Sequence, residues 1–214
     1  MIFIFAIDSV AEKDILKISK NQENCYKEIC DFLGVTPSFK IQYFLLETPE
    51  LVGRVYGDND PCNGFASFPD KVYAVYNEEI KCIGYHEDTH IISNLLNKPD
   101  SLFLSEGLAM YFDKTWWDRS NEEWVSLFIQ NGKYIQINKL IRNDIFLSFS
   151  DEITYPIAGA LTKYLIDRYG KDLYLLMYGI KNSDLLDTIQ QVYSEKLENI
   201  EREFIESLSN NVKE

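Results

Sequence analysis

The sequence predicts an α+β fold, a small β-rich N-terminal lobe followed by a mostly helical lobe. Two observations carry this. Short runs of β-branched and aromatic residues, bounded by turn residues, concentrate in residues 1–76. Beyond them, apolar residues recur at three- and four-residue steps over helix-length segments. A length of 214 residues suits one domain, or one unit of two lobes around a cleft. The reading adopted is a single domain with a β-containing lobe at 1–76 and a helical lobe at 77–214. An apolar content of 46% is ordinary for a chain that buries a core.

In order, residues 2–8 read as a first strand. Ile15, Ile18, Tyr26, Ile29, Cys30 and Leu33 mark a helix over 11–33, stopped by Gly34 with Pro37 beyond. Residues 39–47 are rich in β-formers and partly alternating, hence a strand. Thr48 then caps a short helix with Pro49 at its first position. Residues 58–64 are a dense turn cluster. Strands over 65–68 and 72–76 follow, linked by Pro69-Asp70-Lys71. Asn77 is read as the cap of a helix running to about residue 96, with Glu78 and Glu79 in its first turn and Asn97-Lys98-Pro99 as its stop. Helices are expected over 103–114, with Asp100 or Ser101 as cap, and over 122–130 and 137–141. Another starts after Tyr155-Pro156, with a stripe at Ile157, Ala158, Leu161, Tyr164 and Leu165, and ends before Gly170. The last two fall at 184–193 and 197–208. There is no repeat and no low-complexity linker.

The net charge is −13, and no Lys/Arg-rich run occurs. This argues against a nucleic-acid or anionic-membrane surface, although a basic protein substrate would be attracted. No apolar run approaches a membrane span. The opening Ile2–Ile7 run lacks a basic leader and a cleavage site, so it reads as a strand and not as a signal peptide. Cys25, Cys30, Cys62 and Cys82 form no C-x-x-C pair and read as thiols. They favour a reducing, cytoplasmic setting; secretion stays open if a leader was removed.

The segment Gly84-Tyr85-His86-Glu87-Asp88-Thr89-His90 contains His-Glu-x-x-His, and His86 and His90 are the only histidines. Four apart on a helix, they share one face. Two imidazoles so placed can grip one Zn²⁺, and Glu87 beside the first can act on a water at the metal. Such a site needs a third protein ligand and an open fourth position. With no third histidine, a carboxylate or a thiolate must complete it. Leu104-Ser105-Glu106-Gly107-Leu108-Ala109 offers Glu106 near the start of the next helix. The short connection over 97–102 makes the two helices antiparallel neighbours, and Gly107 would let them approach closely.

Each residue also has a plainer role. Glu106 could be a solvated acid at a helix start. Cys82, one turn before His86 on the same face, could touch the metal or be a small buried hydrophobe. Asp88 could orient a ligand imidazole or simply face solvent. Trp116-Trp117 reads as packing at a helix end or as the wall of a substrate cleft. The acids over 195–206 read as the solvated face of an amphipathic helix.

His86-Glu87-x-x-His90 followed by Ser105-Glu106-Gly107-x-Ala109 resembles the gluzincin metallopeptidases, and within them the peptidase-MA-like group related to the thermolysin-type clan. The resemblance extends over about residues 64–170 and includes the strand before the motif and a tyrosine followed by a small-residue helix. It implies a thermolysin-like catalytic core, one Zn²⁺ held by His86, His90 and Glu106, and Glu87 as general base. Departures narrow the relatives. Four residues after the glutamate, thermolysin has an aspartate where this chain has Met110. The G-x-M-E-N stretch of zinc aminopeptidases corresponds to Gly64-Phe65-Ala66-Ser67-Phe68, which has no acid, so the resemblance favours an endopeptidase. The metzincin continuation is absent, since residues 93 and 96 are Ser and Leu.

In the mechanism so implied, Glu87 accepts a proton from water and returns it to the leaving amine. The oxyanion needs a donor, for which related enzymes use a tyrosine or histidine. Tyr155 is the candidate, because Pro156 suits a first helical turn and pushes Tyr155 out of helical geometry towards a mouth. A peptide or protein substrate would add a strand to the edge formed by 64–68 or 72–76. Two other readings are a zinc-containing binding or regulatory protein and a zinc hydrolase of a non-peptide amide. The intact Glu87 argues against the first.

Overall fold

A computed structural model of the chain describes residues 1–57, 59–179 and 185–210. It divides into two compact units, Met1–Leu96 and Asn97–Glu214. The fold is mixed, with a small sheet and many helices. Among the described residues, no helix is long and apolar enough to cross a membrane, and none of the four cysteines is in a disulfide.

In the first unit, β1 (Ile2–Phe5) leads into α1 (Val10–Leu33). Ser9 caps α1 by accepting from the Glu12 N–H. Gly34, at φ 67°, ends it and donates its N–H to the Cys30 carbonyl. Ala11, Ile18, Gln22, Cys25, Ile29 and Leu33 form the single buried stripe of this helix. β2 (Gln42–Leu46) pairs parallel with β1, which makes β1–α1–β2 a crossover unit. Thr48 and Pro49 open α2 (Pro49–Tyr56) as the sequence predicts. β3 (Gly64–Ser67) and β4 (Lys71–Val75) are antiparallel, and β4 also pairs parallel with β2. The order β1-β2-β4-β3 leaves β3 at an edge, with β4 inside. Tyr43 and Leu45 are buried on one face. On the other, Phe44, Tyr73 and Phe65 stack at centroid distances of 4.7 and 4.9 Å.

The motif helix differs from expectation. No helix starts at Asn77; its side chain accepts from the N–H groups of Glu79 and Ile80. Tyr76 and Lys81 form an antiparallel bridge, and the Cys82 N–H donates to the Val75 carbonyl. An asparagine that caps a helix serves a turn equally well, and here the turn wins because the returning chain pairs with β4. The helix α3 spans only His86–Ser93.

The second unit begins with α4 (Leu102–Asp113) and continues with α5 (Asn121–Gln130), α6 (Ile137–Leu140), α7 (Asn143–Phe146), α8 (Asp151–Tyr169), α9 (Lys171–Gly179), α10 (Leu185–Tyr193) and α11 (Leu197–Asn210). Both α7 and α9 are additions to the expected set. The expected start of α10 at residue 184 lies outside the described residues. α4 ends at Asp113, close to the expected residue 114, and a tight hairpin, β5 (Thr115–Trp116) and β6 (Arg119–Ser120), follows it. Its turn residues Trp117 and Asp118 have φ 49° and 63°, the mirror-type turn that matches strand twist. Ser120 and Glu123 then form a capping box that fixes the start of α5. In α11, Leu197, Ile200, Phe204 and Leu208 are buried, whereas the acid Glu201 accepts from Tyr134 Oη and the Ile137 N–H, at 2.8 and 2.9 Å.

Helix α8 begins five residues before Pro156, because Ser150 caps it and Asp151 and Glu152 sit in the first turn. Tyr155 is therefore inside a helix, not outside helical geometry. Pro156 forgoes one helical bond there. The helices α4 and α8 pack closely through glycines. A Cβ on Gly107 would stand 2.6 Å from Thr162 Oγ1, and one on Gly159 would stand 2.6 Å from both Met110 Cβ and Asn121 Nδ2. Gly159→Ala should thus destabilise the protein by about 1–3 kcal/mol through overpacking, against a gain of about 1 kcal/mol in helix propensity. A chemical denaturation curve with an unchanged or raised midpoint would contradict this packing.

Candidate metal centre

On α3, His86 is the first residue and His90 lies one turn later. Their ring centroids are 5.0 Å apart at an interplanar angle of 80°. Glu106 lies on α4. His86, His90 and Glu106 each offer one ligand atom, and these atoms all lie within 4.8 Å of one another. All three residues are half-buried. Two imidazoles and one carboxylate are the donor set of a three-ligand zinc site. The group could hold a metal ion.

Cys82 is outside α3, so it does not sit one turn before His86 on the helix. It is absent from the cluster of possible ligands among the described residues. Its Sγ instead lines the start of β3, 2.9 Å from where a Cβ on Gly64 would be. The same Cβ position is 3.6 Å from Glu87 Oε1. A glycine at 64 thus lets the edge strand pass close to the carboxylate of Glu87.

Asp88 does not face solvent: it is fully buried. The Tyr43 phenol donates to its Oδ1. The Gln22 amide donates to its Oδ2 at 3.2 Å, to the Gly84 carbonyl at 2.9 Å and to the Tyr43 oxygen. Burial pushes the Asp88 carboxyl well above the usual carboxylate range, opposed by the Tyr43 bond and reinforced by the charge of neighbouring Glu87. Burial likewise raises the Tyr43 phenol, and the Asp88 charge adds to it. Nothing local in the sequence marks Tyr43 as a neighbour of the motif, and the one signal for Gln22 is a polar residue on the apolar stripe of α1.

In the second unit, Tyr155 is half-buried, its ring 5.7 Å from that of Trp116 and 6.1 Å from that of Phe146. Trp117, at the hairpin turn, is 70% exposed.

No protein-family model matches the chain, and neither a curated protein nor a solved structure matches it.

A ligand that binds only the folded state stabilises it by mass action. Zn²⁺ at one hundred times its Kd should add about 2.7 kcal/mol, read as a raised unfolding midpoint that a chelator reverses. Glu106→Ala should remove most of that increment. An unfolding midpoint indifferent to Zn²⁺ and chelator would count against the centre.

Proposed function

We propose that the protein is a zinc-dependent endopeptidase of the gluzincin type, built on a thermolysin-like catalytic core. The observation that carries this reading is the convergence of the ligand atoms of His86, His90 and Glu106, with Glu87 next in the chain to the first ligand. A purely structural zinc site has four protein ligands and no use for a base beside them. Three ligands leave a position for water.

Zinc, when bound, supplies a Lewis acid that polarises the scissile carbonyl and brings a water's pKa towards neutrality. Glu87 takes the proton of the attacking water and delivers it to the departing amine nitrogen, so the carboxylate returns to its starting state. The Tyr155 hydroxyl donates to the developing oxyanion. Of the two candidate strands, β4 is paired on both sides and β3 is an edge. An extended peptide therefore binds along β3, where main-chain hydrogen bonding brings its scissile bond past Gly64 and Glu87.

The test joins metal analysis to a digest of a broad peptide library. Wild type should hold one zinc per chain and cleave internal bonds. Glu87→Gln should keep the zinc and lose turnover by at least about 10²–10⁴-fold, the usual worth of general acid–base catalysis. Zinc retained with cleavage undiminished in Glu87→Gln would overturn the mechanism, and no metal in wild type would overturn the reading as a whole. Tyr155→Phe should cost about 10²–10³-fold in turnover with zinc content unchanged; full activity would remove Tyr155 from the mechanism.

A further inference from the structure

Two imidazoles can hold a metal only if the helix that carries them is fixed, and α3 has little of its own to fix it. It is eight residues long, and its cap position, Tyr85, makes no side-chain capping bond. An isolated helix of this length does not persist in water, so its placement is set from outside. His86 occupies the first helical residue, where fraying is greatest.

The bonds that surround His86 are specific. Gly84, two residues before it, has φ 140°, a conformation open only to glycine. Its carbonyl accepts from the Gln22 amide at 2.9 Å. Asp88, two residues after His86, accepts from the same amide at 3.2 Å and from the Tyr43 phenol. One side chain of α1 therefore brackets the first ligand, and one side chain of β2 locks the bracket from the sheet side. Tyr85 adds a further tie to α1, its phenol donating to Glu28 at 2.7 Å. The face of α3 that carries Asp88, Thr89, Ile91 and Ile92 is buried, leaving His86, Glu87 and His90 only half-covered.

We propose that Gln22 and Tyr43, acting through Asp88 and the Gly84 carbonyl, are positioning residues that set the orientation of the His86–His90 pair. The inference rests on the metal-centre reading above. It assigns a site role to two residues that lie 66 and 45 positions from Asp88 in the chain. The Gln22 amide and the Tyr43 phenol hold the backbone around a ligand from outside the coordination sphere. Removing the Tyr43 hydroxyl or the Gln22 amide keeps every candidate ligand and the base, but takes a partner from buried Asp88 and so loosens the placement of α3.

The test uses the full chain, with Co²⁺ as a spectroscopic substitute for zinc and a chromophoric chelator to measure zinc affinity. Three variants are compared with wild type: Tyr43→Phe, Gln22→Met, and Val52→Ala. Val52 is fully buried in α2 of the same unit, so it reports what a general loss of core packing does. Tyr43→Phe and Gln22→Met should each lower zinc affinity by about 10–100-fold and change the position or intensity of the Co²⁺ visible bands. Val52→Ala should lower the unfolding midpoint but leave both readouts at wild-type values. If Tyr43→Phe does not fold, Gln22→Met decides the matter. Folded variants with wild-type affinity and bands would overturn the positioning role, as would a loss of affinity in Val52→Ala equal to theirs. Wild type that takes up no Co²⁺ or zinc would instead overturn the metal centre, and the positioning role with it.

Discussion

The buried carboxyl of Asp88 is the point to which three elements of the first unit are tied. α3 contributes the carboxyl itself, β2 the Tyr43 phenol, and α1 the Gln22 amide, which reaches back to the Gly84 carbonyl as well. A group of this kind is costly to bury without partners and strongly orienting once it has them. It explains how a helix of eight residues without a side-chain cap can present two histidines in a defined geometry. It also gives a reason for the crossover β1–α1–β2: this arrangement brings α1 over the sheet face from which Tyr43 projects. Stability and candidate chemistry are thereby joined in one set of contacts, since the residues that hold α3 down are neighbours of those that face outward from it.

Within the second unit, Glu106 is held by a different device. Glu106 sits on α4, a helix apolar on most sides and therefore largely buried. Its position is set by close approach to α8 at Gly107 and Gly159, where neighbouring atoms occupy the space a Cβ would need. A close-packed interior has low compressibility and leaves little room for small shifts. The same helix α8 carries Tyr155, whose ring rests against Trp116 and Phe146. The candidate ligand Glu106 and the proposed oxyanion donor thus stand on two helices whose backbones approach closely at Gly107 and Gly159.

Much of this was readable where the signal is local. The capping pair Thr48-Pro49, the stop at Gly34 and the amphipathic stripe of α1 each depend on residues a few positions apart, and all three are realised. The spacing of His86 and His90 is likewise local, and Glu106 on the following helix completes the cluster that the pattern implied. Two of the failures were decided by a competing local signal, and one by contacts distant in sequence. Asn77 looked like a helix cap, but pairing of the returning chain with β4 made it a turn residue. Pro156 looked like a helix start, but Ser150 and two acids began the helix earlier. Asp88 looked indifferent between solvent and a ligand imidazole because its true partners lie 45 and 66 residues away. No helical periodicity encodes such a pairing.

The claim on which the rest turns is that His86, His90 and Glu106 bind one zinc ion. X-ray absorption at the zinc edge of the metal-loaded protein tests it most directly. Two imidazole nitrogens and light oxygen ligands are expected at about 2.0–2.2 Å, with no sulfur. A scatterer at about 2.3 Å would reveal a cysteine thiolate in the coordination sphere, and it would contradict the ligand set proposed for this chain.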